Sequence, residues 1–304
     1  MIEAHGLRKT YGEFEAVKGI DVVVGRGEAF GFLGPNGAGK SSTMRMIAAV
    51  SPTSGGTLRI LGRDPARDGS EIRARIGVCP QEDSLDTDLT VYENLVVYTR
   101  YFGFSRAHAR AKADELLEFV KLTEKRNQMV DDLSGGMKRR LTIARSLVNN
   151  PEMLLLDEPT TGLDPQARHV VWDQLYRLKQ MGVTLVLTTH YMDEAEQLCD
   201  RLVVMDDGRI VAEGAPHELI ARYSTREVVE LRMGVGENEA AAERVEDLGE
   251  RVEVLPDRVL IYTADGEKAA EAAADRGLQP RSTLVRRSTL EDVFLRLTGR
   301  ALDA

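Results

Sequence analysis

A glycine-rich stretch near the N-terminus, Gly34-Pro35-Asn36-Gly37-Ala38-Gly39-Lys40-Ser41, has the residue types and spacing of a phosphate-binding loop. Glycines let main-chain N–H groups approach phosphate oxygens, and the positive end of a following helix adds to the attraction. Lys40 could reach the β- and γ-phosphates of a nucleotide, and the Ser41 hydroxyl could ligate Mg²⁺. A strand-like segment, 28–33, precedes the loop and a helical pattern, 42–49, follows it. We therefore predict a nucleotide-binding site rather than an ordinary glycine turn.

Two acidic residues, Asp157 and Glu158, follow a continuous apolar run at 153–156. Such a run is typical of a central parallel strand that is covered on both faces. Asp157, at the carboxyl end of this strand, could bind Mg²⁺ directly or through water. Glu158 could accept a proton from the water that attacks the γ-phosphate. The alternative is a surface acidic pair, but the phosphate-binding loop upstream favours the catalytic interpretation.

Two further polar residues stand at the ends of predicted strands. Gln81 follows the segment 76–80, and His190 ends the segment 183–189. Ligands of α/β proteins bind at the carboxyl ends of parallel strands. Gln81 could therefore join the Mg²⁺ shell and the attacking water, and His190 could hydrogen-bond the γ-phosphate. Taken singly, each of these residue types more often has a structural role.

A second anion site and an aromatic contact are indicated by weaker patterns. Ser134 is a natural N-cap for the helix predicted over 138–147, and Gly135 and Gly136 expose N–H groups at its positive end. Many helix caps have this sequence, so the pattern alone is weak. Tyr11, in the turn after the first strand, could stack on a purine ring. On this residue alone, a packed loop tyrosine is the favoured interpretation.

Composition limits the possible classes of protein. The 304 residues are 42% apolar, carry a formal charge of −9 and include two cysteines. The acidic balance disfavours sequence-independent nucleic-acid binding, which needs a basic face. Two cysteines suit a reducing cytosol better than a disulfide framework. Because nothing approaches the ~18 consecutive apolar residues of a membrane span, we expect any membrane role to come through a partner.

The chain is expected to form two domains, 1–222 and 223–304. In the first, residues 90–147 change to helical patterns and form an insert in an α/β domain. Its aromatic residues, Tyr98, Tyr101, Phe102 and Phe104, are expected to be core, whereas an exposed cluster would mark a partner-docking surface. After residue 223 the patterns run strand, helix, strand, strand, helix, strand. That order predicts a ferredoxin-like α+β domain, with a last amphipathic helix over 290–297.

Over residues ~2–220, the motifs together resemble those of ATP-binding cassette (ABC) transporter ATPases, with every family motif present in order. Met137 departs from the family pattern, since a glutamine usually stands there, and it puts only a peripheral polar contact in question. The resemblance implies a mixed-sheet core, an antiparallel β subdomain and a helical subdomain. It implies ATP and Mg²⁺ as cofactors. The implied nucleotide contacts are Tyr11, residues 34–41, Ser42, Ser134, Gly135, Gly136 and Asp164. The implied metal ligands are Ser41, Gln81 and Asp157. The implied catalytic residues are Lys40, Gln81, Glu158 and His190.

The resemblance also implies partners. Family members form two-fold dimers in which the ATP sites are shared, so Ser134 and Gly136 would face the nucleotide of the second chain. A separate multi-span permease would bind near Gln81 and the helical insert and hold the protein at the cytoplasmic face of the membrane. More narrowly, residues 288–299 resemble the daunorubicin-resistance type of drug exporter. We therefore predict an ATPase that powers export of drugs or other lipophilic compounds. The alternative is a soluble ABC ATPase acting on ribosomes or DNA.

Overall fold

The computed structural model describes residues 1–299, and the chain divides into two compact units, Met1–Glu213 and Gly214–Ala304. Residues 300–304, the end of the predicted second domain, lie outside the described residues. The predicted division after residue 222 falls within a helix, Pro216–Tyr223, that belongs to the second unit.

A six-stranded sheet forms the centre of the first unit. Its strands, in spatial order, are β5 (Ile76–Cys79), β6 (Met153–Asp157), β7 (Thr184–Thr189), β3 (Ala29–Leu33), β8 (Arg201–Asp206) and β9 (Arg209–Gly214). The first five are parallel, and their apolar residues are buried except for Val78 of β5, which is 44% exposed. The hairpin between β8 and β9 turns at Asp207 and Gly208, as predicted, with φ values of 44° and 73°. The carboxyl ends of β5, β6, β7 and β3 thus lie side by side at one edge of the sheet.

A three-stranded antiparallel sheet packs on one side of this core. Its strands are β2 (Phe14–Val24), β1 (Ile2–Tyr11) and β4 (Gly55–Ile60), in that order. The inward side chains alternate with exposed ones along β1, as expected for a sheet with one wet face. They share a buried core with helix α1 (Lys40–Ile47). The phosphate-binding loop is therefore held between two sheets.

The predicted helical insert is present. After α2 (Pro65–Arg75), it contains α3 (Val91–Tyr101), α4 (Arg106–Phe119) and α5 (Gly135–Ser146), and the first unit continues with α6 (Pro165–Gln180) and α7 (Met192–Leu198). Thr90 and Glu93 form a capping box at the start of α3. Helix α2 was not predicted, although Asp64 as N-cap and Pro65 at the first position are its signals.

The second unit has the predicted ferredoxin-like arrangement. Its elements are α8 (Pro216–Tyr223), β10 (Glu227–Arg232), α9 (Asn238–Val245), β11 (Arg251–Val254), β12 (Val259–Thr263), α10 (Gly266–Asp275), β13 (Ser282–Arg287) and α11 (Leu290–Thr298). The sheet order is β11-β12-β10-β13 and every pair is antiparallel. Val229, Ile261 and Ala269 belong to the core that α9 and α10 cover. The predicted fold class is confirmed in both units.

Candidate nucleotide-binding site

The glycine-rich loop connects β3 to α1 and turns tightly. Gly37 and Gly39 have φ values of 83° and 99°, which only glycine adopts readily. A Cβ at Gly39 would lie 2.5 Å from the Ala16 carbonyl oxygen, and one at Gly34 would lie 2.3 Å from that of Met205. Close packing behind the loop therefore fixes its path. Gly37, by contrast, has open space around it, so a ligand could approach its main chain closely.

Lys40, the first residue of α1, is almost fully buried. Its ammonium group donates to the carbonyl oxygens of Gly34 (2.7 Å) and Pro35 (3.1 Å) within the loop. Burial lowers the pKa of Lys40, and the negative charges of Glu158 and Asp157 oppose that shift. The charge thus sits inside the loop that the sequence predicts to bind phosphate, next to the two acidic residues.

Ser41 and Asp157 meet across the sheet edge. The Ser41 hydroxyl donates to Oδ1 of Asp157 over 3.2 Å, and the Thr188 hydroxyl donates to the same oxygen. A hydroxyl and a carboxylate at this spacing match the oxygen ligands that Mg²⁺ prefers, with water and substrate oxygens completing an octahedron. The donor set therefore fits a magnesium ion that these two residues would hold.

Glu158 is the point at which the predicted catalytic groups converge. Its side chain is 6% exposed, and Oε2 accepts hydrogen bonds from Gln81 Nε2 and the Thr161 hydroxyl, both over 3.1 Å. On the other oxygen, Oε1, lie Lys40 Nζ at 3.9 Å and His190 Nδ1 at 3.3 Å. The structure thus brings the predicted strand-end residues of β5, β6 and β7 together at one carboxylate.

His190 is close to Glu158 without a hydrogen bond to it. Its Nδ1 atom is buried and has no hydrogen-bond partner among residues 1–299. The ring lies 4.2 Å, centroid to centroid, from that of Tyr191. A buried ring nitrogen without a partner usually needs an explanation in a native structure. A phosphate oxygen or an ordered water at this position would provide one.

Tyr11 is the last residue of β1, at the turn into β2, and it lies beside α1. Ser42 hydrogen-bonds the Tyr11 hydroxyl and lowers the pKa of Tyr11, and Lys9 Nζ is 4.8 Å from the centroid of its ring. The ring is 44% exposed. It is therefore available for stacking at the start of α1.

Ser134, Gly136 and Asp164 are placed at two other helix N-termini. Ser134 caps α5, where its hydroxyl accepts from Met137 N over 3.4 Å, and Asp164 caps α6 by accepting from Ala167 N over 2.9 Å. A Cβ at Gly136 would lie 2.8 Å from that of Ala167, so the two helix starts are in close contact. Ser134 and Gly135 are exposed. Both residues lie at the positive end of α5.

Residues 17–161 match the family described as ABC transporter. Over 302 residues the chain is 47% identical to a Nod factor export ATP-binding protein I from Paraburkholderia xenovorans, covering 99% of this chain and 98% of the relative. It is 46% identical over 310 residues to the protein of the same name from Ralstonia nicotianae, and the match covers 99% of this chain and 95% of that relative. The chain belongs to the ABC transporter ATP-binding proteins. As a member of that family, it is an ATP-binding enzyme that hydrolyses ATP.

Solved ABC cassettes have the same fold as the first unit. The chain is similar to a dimeric post-hydrolysis state of the cassette MJ0796 bound to ADP and Pi, at 29% identity and a TM-score of 0.65 over 71% of this chain and 98% of that one. It is similar to cbiO1 from Clostridium perfringens, part of an ABC transporter complex, at 30% identity and a TM-score of 0.67 over 72% and 90%.

The second unit matches a family other than the predicted drug-export subfamily. Residues 238–299 match the C-terminal domain of the nodulation factor export protein NodI. The relatives described above are named for Nod factor export. The daunorubicin-resistance resemblance is therefore not supported.

In the part of the chain that the structure describes, residues 1–299, every helix is too short or too polar to span a bilayer.

The expectation that the aromatic residues of the helical insert form core was wrong for three of them. Tyr101 is 75% exposed, and Tyr98 and Phe102 are each 38% exposed. The rings of Tyr98 and Tyr101 contact each other edge to face at 5.7 Å. Tyr101 also lines a cleft of about 530 Å³ with Val96, Val97, Arg100, Arg106 and Arg110. Periodicity places such residues on one face of α3 but does not show whether another element covers that face.

Arg139 is a residue of the site that the sequence did not indicate. It stands in the short basic run Lys138-Arg139-Arg140, yet it is 4% exposed and contacts the main chain around both Gln81 and Glu158. The available signal was its position in the first turns of the helix that follows Ser134, because a charge on the buried face of a helix needs buried partners.

Proposed function

We propose that this ABC protein is the ATP-hydrolysing subunit of an exporter for an amphiphilic, lipid-modified compound, with a lipo-oligosaccharide of the Nod factor class as the first candidate. The observation that carries the proposal is similarity over 99% of the chain to proteins named for Nod factor export, which extends through the second unit. A drug of the daunorubicin kind, predicted from residues 288–299, is the second candidate cargo. Both are lipophilic compounds that a separate permease would move.

For the catalytic site we propose that one chain supplies Lys40, Ser41, Gln81, Asp157, Glu158 and His190. Ser41 and Asp157 would hold Mg²⁺, which neutralises phosphate charge when bound. Lys40 would exchange its loop carbonyls for β- and γ-phosphate oxygens. Glu158 would take the proton of the attacking water, and Gln81 would orient that water. His190 would donate to the γ-phosphate and so hold it in line for attack.

The second half of each site would come from a second copy of this chain. Two helix N-termini that face one triphosphate form a strong clamp while the γ-phosphate is present. The N-terminus of α5 carries exposed Ser134 and Gly135 and suits the outer half of such a clamp. A solved relative is described as dimeric with ADP and Pi. Hydrolysis would then loosen the dimer and give an open and a closed state.

The permease would bind the exposed face of the helical insert. Tyr98, Tyr101 and Phe102 form an apolar patch there, and the adjacent cleft is lined by three arginines. Exposed apolar patches with a polar rim are typical of protein interfaces. This face belongs to the same compact unit as Gln81, so movement at the nucleotide could be transmitted to it.

The test is to co-express the chain with a candidate six-span permease that lacks an ATPase domain of its own and to purify the complex in detergent. We expect one stable complex whose ATP turnover rises when a lipo-oligosaccharide is added and does not rise with daunorubicin. The Lys40→Ala complex is the matched control for contaminating ATPase activity. Stimulation by daunorubicin alone would select the second cargo, and purification with ribosomes or DNA instead of the permease would contradict the proposal.

A further inference from the structure

Arg139 lies one turn into α5, the helix whose N-terminus carries Ser134 and Gly136. Its guanidinium is buried and each of its nitrogens donates to main-chain carbonyl oxygens. Nη1 donates to Pro80 and, over 3.3 Å, to Gln81. Nε donates to Pro159 over 2.7 Å, and Nη2 donates to Asp157 (3.0 Å) and Glu158 (3.1 Å). One side chain thus joins the segment after β5 to the segment after β6.

The chemistry of these contacts suits arginine alone among the basic side chains. A planar fork with five N–H groups can bond two separate segments at once, whereas a lysine ammonium is a single point of donation. Hydrogen bonds that involve a charged donor are stronger than neutral ones. The nearest carboxylate is that of Asp83, at 3.8 Å from Nη1. The buried charge is therefore offset mainly by fixed main-chain dipoles.

The segment that Arg139 holds is the one that aims the Glu158 carboxylate. Glu158 has a φ of 47°, a conformation that is costly for a residue with a side chain and that persists only where its surroundings impose it. Thr188 bonds its N–H group, and Arg139 bonds the carbonyls on both sides of it. We propose that Arg139 is a positioning residue that couples α5 to the general base by fixing Glu158 and Gln81 in one geometry. The proposal rests on Glu158 as the base.

Arg145 provides a matched control on the same helix. It is 5% exposed and donates to the main-chain and hydroxyl oxygens of Ser84, in the segment after Gln81. Its guanidinium also lies 4.4 Å from the centroid of the Tyr98 ring. It therefore anchors one of the two segments that Arg139 joins and has none of the contacts with residues 157–159. A purely structural effect of losing a buried arginine from α5 should appear in both variants.

The experiment uses the full chain with Mg²⁺ and compares Arg139→Met with Arg145→Met. For Arg139→Met we expect kcat to fall about 10²-fold, because displacing a catalytic base by about 1 Å lowers the rate by about this factor. The Kd for a fluorescent ATP analogue should change less than about threefold. Arg139→Lys, which keeps the charge but not the fork, should lose about tenfold in kcat with its Tm near the wild-type value. Arg145→Met should retain kcat to within about threefold. Equal kcat losses in the two methionine variants, or wild-type kcat in Arg139→Lys, would overturn the proposal.

A double variant separates this role from the proposed function. If Arg139 acts through Glu158, adding Arg139→Met to Glu158→Gln should lower the residual kcat by less than about twofold. A further loss of about 10²-fold in that background would remove the coupling role of Arg139 while leaving Glu158 as the base. Normal turnover in Glu158→Gln alone would instead remove both assignments.

Discussion

At the scale of single residues, the structure explains Glu158 better than any other part of the site. Its carboxylate is buried, bonded on one oxygen and approached by Lys40 and His190 on the other. Glu158 has a left-handed backbone conformation, which is unfavourable for a residue with a side chain and is maintained by the contacts of its neighbours. A carboxylate held in this way is oriented before substrate arrives, which is what proton transfer requires.

Replacing Glu158 by Gln should lower kcat by at least about 10²-fold, the scale of losing a general base. ATP binding should survive, because the amide keeps the size and most contacts of the side chain, and the ATP-bound dimer should accumulate. Steady-state phosphate release and gel filtration with ATP would measure both effects. Glu152→Gln is the matched control, since Glu152 directly precedes the same strand and pairs with Arg75 and Arg26. Near-normal turnover in Glu158→Gln would exclude Glu158 as the base.

At the scale of elements, the path of the phosphate-binding loop depends on packing behind it as much as on its own sequence. Gly39 is both in a positive-φ conformation and in contact with β2 at Ala16, whereas Gly37 has only the positive φ. Backbone conformation therefore restricts both positions to glycine, whereas close packing against β2 restricts only Gly39.

We expect Gly37→Ala to lower the free energy of unfolding by about 1 kcal/mol, the cost of a left-handed alanine. Gly39→Ala should lower it by about 3 kcal/mol, because its Cβ would also displace the Ala16 carbonyl. Urea unfolding without nucleotide would measure the difference. Equal losses in the two variants would mean that the loop moves freely away from β2.

A buried carboxylate on α7 links that helix to α6 and to the segment after β6. Glu194, on α7, accepts from the Thr160 hydroxyl (2.7 Å) and from Trp172 Nε1 on α6 (3.3 Å), and it is fully buried. Burial raises the pKa of Glu194, against the hydrogen bonds from Thr189, Thr160 and Trp172. Within residues 1–299 its second oxygen has no hydrogen-bond partner.

The pKa of Glu194 is higher in the folded chain than in the unfolded chain. Between these two pKa values the folded chain therefore binds more protons than the unfolded chain, and the free energy of unfolding falls as pH rises through that range. Glu194→Gln, which stays neutral, should therefore be more stable than the wild type at pH 8, by about 1–3 kcal/mol. This advantage should disappear below about pH 4.5, the ordinary glutamate value. Urea midpoints across pH would test it, and an advantage that does not vary with pH would contradict it.

At the scale of the whole molecule, the proposed catalytic residues of the loop and strands converge within one unit, while Ser134 and Gly135 are exposed at the start of α5. A site completed by a second copy accounts for both facts. Symmetry then places two such sites in each dimer, because each chain gives both halves.

Mixing Lys40→Ala chains with Ser134→Arg chains, each inactive alone, should restore up to about a quarter of wild-type turnover. Half of the dimers formed at random are mixed, and each mixed dimer has one intact site. Phosphate release by the mixture, with mixed dimers counted by two affinity tags, would measure the restoration. Mixed dimers without activity would contradict a shared site.

The sequence by itself determined the parts of the site whose chemistry is local. The glycines, Lys40 and Ser41 are consecutive, and the apolar run before Asp157 is a buried strand wherever it lies in the sheet. The strand and helix order after residue 223 likewise predicted the ferredoxin-like unit, since short connections allow few topologies.

Only the tertiary structure decided which of these groups meet. The order β5-β6-β7-β3 brings Gln81, Glu158, Thr188 and His190 to one edge, and no spacing along the chain encodes that order. The contacts of Arg139 join residues 18 to 59 positions away, so a basic run in the sequence could not reveal them. Tyr101 was predicted to be core and is exposed, because a periodic apolar face has the same pattern whether another element of the chain covers it or not.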